Sequence, residues 1–310
     1  MAEIRHLISI TDFSAEETSH IIQRSRRMKD GEISRPLQGK NFSLLFEKPS
    51  LRTKVSFEVG INQLGGHSIY LSRQEVGLGT REPVSDVARV LSGFVDCIIA
   101  RVDRHEDLVE LAKHSSVPVI NALSDWEHPC QTIADLLTIQ EHKGALEGLK
   151  LCYIGDGNNV ARSLCLGLPP LGVSFAIASP PVNDRYHLDR ASLDLAQRRA
   201  NGNASQMVSD LTDPVAAVQG ADVVYTDAWT SMGQEAESEA RRRDFQGFTV
   251  DPELLSKAKP GALFMHDMPA HYGEEVSEGM LDHPQSVAYD QAENRLHAQK
   301  AALEFIMGEG

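Results

Sequence analysis

Apolar and polar positions along the chain switch repeatedly between two periods. Short apolar runs of four to six residues, such as Phe42 to Phe46, Cys97 to Ala100 and Leu151 to Ile154, alternate with stretches whose apolar residues recur every three or four positions. The pattern predicts a helix to about Met28 behind a Ser14-Ala15-Glu16-Glu17 start, then strand 42–46, helix 53–64, strand 67–71 and a Gly-rich loop at 76–80. Helix 84–93, strand 96–101, helix 105–114, strand 117–121 and helix 129–140 follow. The polar segment 141–148, with two Gly, reads as a hinge. A second alternating set then comprises strand 149–154, helix 158–171, strand 173–178, helix 190–200, strand 205–208, helix 213–219, and strands 222–225 and 262–265. A long amphipathic helix from Asp290 to Met307 closes the chain. Strands buried on both faces read as continuous apolar runs, and helices between them imply crossovers. The fold class is therefore α/β: two domains, each a mostly parallel sheet flanked by helices.

Length agrees, since 310 residues exceed a single core and suggest two domains of roughly 150. No run approaches the ~20 apolar residues of a membrane span, and Met1 to Arg5 lacks an apolar leader core, so a cytoplasmic protein without membrane contact is expected. The formal charge of −14, from 30 Lys and Arg against 44 Asp and Glu, argues against a nucleic-acid surface. Any anionic ligand must then meet a local concentration of basic groups. Cys97, Cys130, Cys152 and Cys165 form no C-x-x-C pair, and the His residues show no ligand spacing, so buried reduced thiols and no metal are expected.

Chemistry concentrates where the predicted strands end. After strand 42–46, Ser50-Leu51-Arg52-Thr53-Lys54 brings hydroxyls and a guanidinium to a helix start, the composition of a phosphate site and equally of a helix cap. Arg101 ends an apolar strand, and His128-Pro129-Cys130-Gln131 opens a helix. Gly155-Asp156-Gly157-Asn158-Asn159-Val160 resembles a dinucleotide turn but lacks its third Gly, so it reads instead as a helix start that carries Asn158 and Asn159 to the sheet edge. Asp227 and His266-Asp267-Met268-Pro269 each follow a strand, placing two acids at neighbouring strand ends, which suits an amine.

Together with Ser231-Met232-Gly233 and Asp290-Gln291-Ala292-Glu293-Asn294-Arg295, these motifs appear in the order and spacing of the carbamoyltransferases. Over nearly its whole length the chain resembles the aspartate/ornithine carbamoyltransferase family, in particular its ornithine branch. The resemblance implies transfer of a carbamoyl group from carbamoyl phosphate to L-ornithine, giving L-citrulline and phosphate, without cofactor or metal. It implies a carbamoyl phosphate domain at 1–142 completed by the final helix at 290–310, and an ornithine domain at 143–289. Carbamoyl phosphate falls to Ser50, Leu51, Arg52, Thr53, Arg101, His128, Gln131, Asp267, Met268 and Arg295, and ornithine to Asn159, Asp227, Ser231 and Met232. Arg101, His128, Asp227 and Asp267 are the implied catalytic groups. The resemblance further implies a role in arginine biosynthesis and a homotrimer, or a multiple of it, in which Arg81 acts in a neighbour's site.

Two positions depart from the family pattern. Lys54 stands where an Arg is usual, and Asp267 where the ornithine branch carries Cys. Asp267 either helps to bind and deprotonate the acceptor ammonium or turns to pair with a base such as Arg295; the first is the working expectation, because a carboxylate can accept the proton that a thiolate would. The acceptor is the open point. An N-acylated ornithine or putrescine are the alternatives, and a non-catalytic ligand-binding paralogue is the reading of a different class.

Overall fold

The computed structural model describes residues 4–308 apart from 33, 183, 202–206 and 232. Backbone contacts divide the chain into two compact units, Met1–Leu137 with Glu293–Gly310, and Thr138–Ala292.

The first unit opens with α1 (Ala15–Lys29), whose Ser14 cap and Glu17 exchange the two hydrogen bonds of a capping box. β1 (Asn41–Phe46), β2 (His67–Ser72), β3 (Cys97–Arg101) and β4 (Val119–Leu123) form a parallel sheet in the order β2-β1-β3-β4. Between them lie α2 (Leu51–Gln63), the single turn α3 (Arg73–Val76), α4 (Val84–Ser92) and α5 (His105–His114). α2 buries Thr53, Phe57 and Ile61, spaced by four on one face, and burial of Phe57 alone stabilises by roughly 1.5–3 kcal/mol. α6 (Pro129–Lys143) carries the chain into the second unit, and the final helix α12 (Ala288–Ile306) returns it.

The second unit holds β5 (Lys150–Ile154), β6 (Ser174–Ala178), β7 (Val208–Leu211), β8 (Val223–Thr226) and β9 (Leu263–His266), all parallel in the order β7-β6-β5-β8-β9. Its helices are α7 (Asn159–Gly167), α8 (Arg190–Arg199), α9 (Pro214–Val218), α10 (Ser238–Asp244) and α11 (Pro252–Ser256). A core of Cys152, Ile154, Trp229, Phe245 and Phe264 lies among them.

The α/β class and both parallel sheets are as the pattern predicts; several boundaries are not. Strand 117–121 begins two residues later, because Pro118 has no N–H to donate to the ladder. α2 starts at Leu51, earlier than periodicity suggested, because Ser50 caps it. Helix 158–171 ends at Gly167, where Pro169 and Pro170 reduce the continuation to a 3-10 turn. The hinge at 141–148 is helical through Lys143 before Gly144 takes a positive φ of 82°. Strand 205–208 is displaced to Val208–Leu211, its first two predicted residues lying outside the described ones. α10, whose sequence SEARRRD has no apolar stripe, was invisible to periodicity.

All four Cys are free and buried, and burial pushes the thiols of Cys130, Cys152 and Cys165 up to about 12. Such thiols are inert. Among the described residues, no helix is long and apolar enough to cross a membrane.

Candidate active site

In a parallel sheet every strand delivers its C-terminal end to one edge, which is where sequence-distant loops meet. In the first unit Phe46, the last residue of β1, is paired with Arg101, the last of β3. A register shift between Ala100 and Arg101 against β4 sets Arg101 off from the regular ladder, and the residue is 9% exposed. From β1 the chain turns through Pro49 into α2, where Ser50 Oγ accepts from Thr53 N at 3.3 Å. Ser50 is thus a cap, and the same turn also holds half-buried Arg52, exposed Leu51 and fully buried Thr53.

Thr53 is the focus of this half. Its Oγ1 accepts from Arg101 Nη1 at 3.4 Å and, over a shorter distance, from Arg295 Nη2. With both lone pairs facing guanidiniums, the hydroxyl proton becomes a stronger donor. Arg295 Nη2 also lies 3.5 Å from His128 Nε2. His128 is buried at the start of α6, and burial, then the charges of Arg295 and Arg101, hold its imidazole well below the ordinary His range. It is therefore neutral at pH 7 and keeps one N–H to give. The preceding turn is fixed by Ser124, whose N donates to Glu127 O at 3.0 Å and whose Oγ accepts from Glu127 N at 3.1 Å.

One turn into α6, Gln131 Nε2 donates to Asp135 Oδ1 at 2.8 Å. That bond orients the amide, so Oε1 is the buried atom with no hydrogen-bond partner among the described residues. Two buried guanidiniums, a polarised hydroxyl, a neutral imidazole and a buried amide oxygen can bind an anionic acyl group that also carries N–H donors.

Lys54 stands apart from these groups. Its Nζ lies 3.8 Å from the centroid of the Tyr70 ring and 3.9 Å from Glu58 Oε1, with the side chain more than one-third exposed. An amine suffices for a cation–π contact and a surface ion pair, which explains why Lys serves where a guanidinium fork is usual. Arg81 is exposed, and its Nη1 donates to Glu75 O at 3.1 Å.

In the second unit Thr226 of β8 pairs with His266 of β9, so Asp227 and Asp267 leave the sheet side by side. Asp227, His266 and Asp267 each offer an atom within 4.8 Å of the others. Asp227 Oδ1 accepts from Ala228 N at 2.6 Å and Oδ2 from Asn158 Nδ2 at 2.7 Å. Met268 N donates to His266 Nδ1 at 2.8 Å, so the neutral ring carries its proton on Nε2, which faces Glu275 Oε1 at 3.1 Å. Both ring nitrogens are engaged, and binding a metal at this cluster would break one of these bonds. The other set of closely spaced ligand types, His271, Glu274 and Glu275, has Glu274 paired with Arg242 at 2.8 Å. Burial, together with the charges of Asp227, Asp267 and Asp156, pushes the Tyr153 phenol well above its ordinary range, a measure of the negative field at this edge. That field favours an ammonium ligand.

The loop after Asp227 is held from behind by residues that periodicity could not flag. Arg241 of α10 donates from Nη1 to Asp156 Oδ2 at 2.6 Å and to Trp229 O at 2.8 Å. Trp229 stacks on Phe245 with centroids 5.3 Å apart. Ser231 N donates to Gln234 Oε1 at 3.1 Å, while Met232 lies outside the described residues. Asn159 is the first residue of α7, and Asn158 is its cap. A Cβ on Gly157 would come within 2.7 Å of the His187 and Leu188 backbone, so this Gly permits close chain packing rather than approach of a pyrophosphate.

Comparison with known proteins agrees along the chain. The family model described as the aspartate/ornithine carbamoyltransferase carbamoyl-P binding domain matches residues 5–141, and that of the Asp/Orn binding domain matches 147–306. The chain is 49% identical to ornithine carbamoyltransferase of Thermococcus kodakarensis, over 98% of this chain and 96% of that one. It is 48% identical to the anabolic ornithine carbamoyltransferase of Pyrococcus furiosus, with the same coverage. A solved structure of ornithine carbamoyltransferase from Pyrococcus furiosus superposes with a TM-score of 0.92 at 48% identity, covering 98% of this chain and 97% of that one.

Proposed function

Because the chain belongs to the aspartate/ornithine carbamoyltransferase family, we propose that it transfers the carbamoyl group of carbamoyl phosphate to the side-chain amine of L-ornithine, releasing L-citrulline and phosphate. The observation that carries the reading is the convergence of Arg101 and Arg295 on Thr53, with neutral His128 beside Arg295, in a chain of net charge −14.

The first unit receives carbamoyl phosphate. The phosphate lies at the N-terminus of α2 on Ser50, Leu51, Arg52 and Thr53, where free N–H groups and the helix dipole stabilise it. The carbonyl oxygen receives Thr53, Arg101 and His128, and the buried Oε1 of Gln131 accepts from the carbamoyl NH2. The second unit receives ornithine on Asn159, Asp227, Ser231 and Met232. The side-chain ammonium, held by Asp227, loses a proton and the free amine attacks the carbonyl carbon. A C–N bond forms, the carbonyl oxygen gathers charge among its donors, and the C–O bond to phosphate breaks with the electron pair leaving on phosphate, which takes up the second proton from the amine nitrogen. Arg52 and Arg295 offset the charge that the leaving group acquires. We further assign a cytoplasmic homotrimer, in which exposed Arg81 serves a neighbouring site.

Purified protein should release phosphate from carbamoyl phosphate and form citrulline with L-ornithine, and stay near background with putrescine and N-acetylornithine. Turnover with one of those amines instead would reassign the acceptor, and silence with all of them alongside measurable carbamoyl phosphate binding would favour a ligand sensor. Asp267 lies beside Asp227, and its role as an auxiliary proton acceptor is separately testable. Asp267→Ala is expected to lower kcat about tenfold and to change the shape of the pH-rate profile, less than the roughly 10²–10⁴-fold of a sole general base because Asp227 remains. An unchanged rate and profile would leave Asp267 without a catalytic part.

A further inference from the structure

Asn158 is joined to four other groups, and its two side-chain atoms do different things. Oδ1 accepts from Val160 N and Ala161 N, both at 3.0 Å, and from the Tyr153 hydroxyl at 3.3 Å. Nδ2 donates to Asp227 Oδ2 at 2.7 Å. The amide cannot be turned round, because Nδ2 would then face two backbone N–H groups and a phenol while Oδ1 faced a carboxylate. Tyr153 is fully buried and its phenol stays protonated, so it remains a donor to Oδ1 at any ordinary pH.

We infer that Asn158 is a positioning residue for the acceptor amine: anchored to the α7 N-terminus and to Tyr153, it fixes the Asp227 carboxylate in the orientation that receives the ammonium. The inference rests on the reading that Asp227 meets that amine.

The geometry gives the bond its consequence. Asp227 follows the last residue of β8, and a free carboxylate there could rotate about two side-chain bonds. Ala228 N holds one oxygen at 2.6 Å and Asn158 Nδ2 the other at 2.7 Å, so rotation breaks at least one charge-assisted bond. Each carboxylate oxygen retains a further lone pair for the ligand. Alignment within a few tenths of an ångström is what attack by a bound amine demands. Asn158 thus couples the helix start to the acid, and Asn159, next in sequence, is left for direct contact with the amino acid.

Two substitutions separate positioning from capping. Ser and Asp both keep a side-chain oxygen for Val160 N and Ala161 N, and both lose Nδ2, the atom that reaches Asp227. Asn158→Ser and Asn158→Asp are each expected to lower kcat/KM for ornithine about a hundredfold, with the Kd for carbamoyl phosphate within twofold of wild type. Retained kcat/KM, within threefold of wild type in either variant, would overturn the inference and leave Asn158 as a cap alone. Should one variant melt far below wild type, the other decides, and the unchanged Kd for carbamoyl phosphate certifies that the protein is folded. Failure of wild type itself to use ornithine would remove the functional reading and this inference with it; wild-type turnover with undiminished variants would remove the inference only.

Discussion

Asp227→Asn is expected to reduce kcat/KM for ornithine by about a thousandfold while leaving the Kd for carbamoyl phosphate close to wild type. The substitution keeps size and keeps an oxygen for Ala228 N, but removes the charge proposed to hold the ammonium and the base proposed to take up its proton. Proton transfer by a positioned group contributes roughly 10²–10⁴-fold, and loss of the ion pair adds to KM. It also sets a side-chain amide against Asn158 Nδ2, which lies 2.7 Å from Oδ2 in the native protein, so donor would face donor unless the new amide turns its oxygen there. Steady-state kinetics with each substrate varied, and titration of carbamoyl phosphate, provide the check. Loss of less than tenfold would show that the amine is deprotonated elsewhere. A matching loss of carbamoyl phosphate affinity would show that the acid organises the other substrate as well.

His128→Leu is expected to lower kcat by about 10²–10³, equivalent to about 2.7–4 kcal/mol, the usual effect of removing one donor to a developing oxyanion. The same substitution should change acid stability in the opposite sense. Burial, Arg295 and Arg101 hold the folded-state pKa of His128 below its ordinary value of 6.5, so below pH 6.5 the unfolded chain takes up a proton that the folded chain refuses. Stability from the neutral ring is complete above 6.5 and is lost as pH falls from there toward the folded-state value, at up to about 1.4 kcal/mol per pH unit. Leu has no proton to take up. Denaturant melts of the ligand-free proteins between pH 7 and 5 should therefore show a shallower decline for the variant. Parallel declines would mean that His128 is charged in the folded state, and its place as a neutral donor would fall.

The elements were legible where both faces of a strand or one face of a helix are buried. Phe42 to Phe46 and Leu151 to Ile154 read correctly as strands because a parallel sheet covered on both sides leaves no alternation to mislead. α10 was missed for the opposite reason. Its inward residue is Arg241, whose burial depends on Asp156, and nothing local to SEARRRD marks one of three arginines as the buried one. The candidate groups were likewise legible as residue types after strand ends. Their partnerships were not: Thr53 meets Arg295 across almost the full chain, and Asn158 meets Asp227 from a different crossover.

Taken alone, the order of residues determined the α/β class, the two parallel sheets, the absence of a paired cysteine motif and the motifs that carry the family resemblance, because these follow from local periodicity and spacing. Tertiary structure decided the state and direction of each group. It made His128 neutral by surrounding it with apolar atoms and two cations, sent Lys54 to Tyr70 and Glu58, gave Gly157 a packing purpose, and turned Asn158 from a helix cap into a hold on Asp227. Apart from the i,i+4 pair of Lys54 with Glu58, those outcomes depend on distances between atoms remote in sequence, and burial and electrostatics act through such distances.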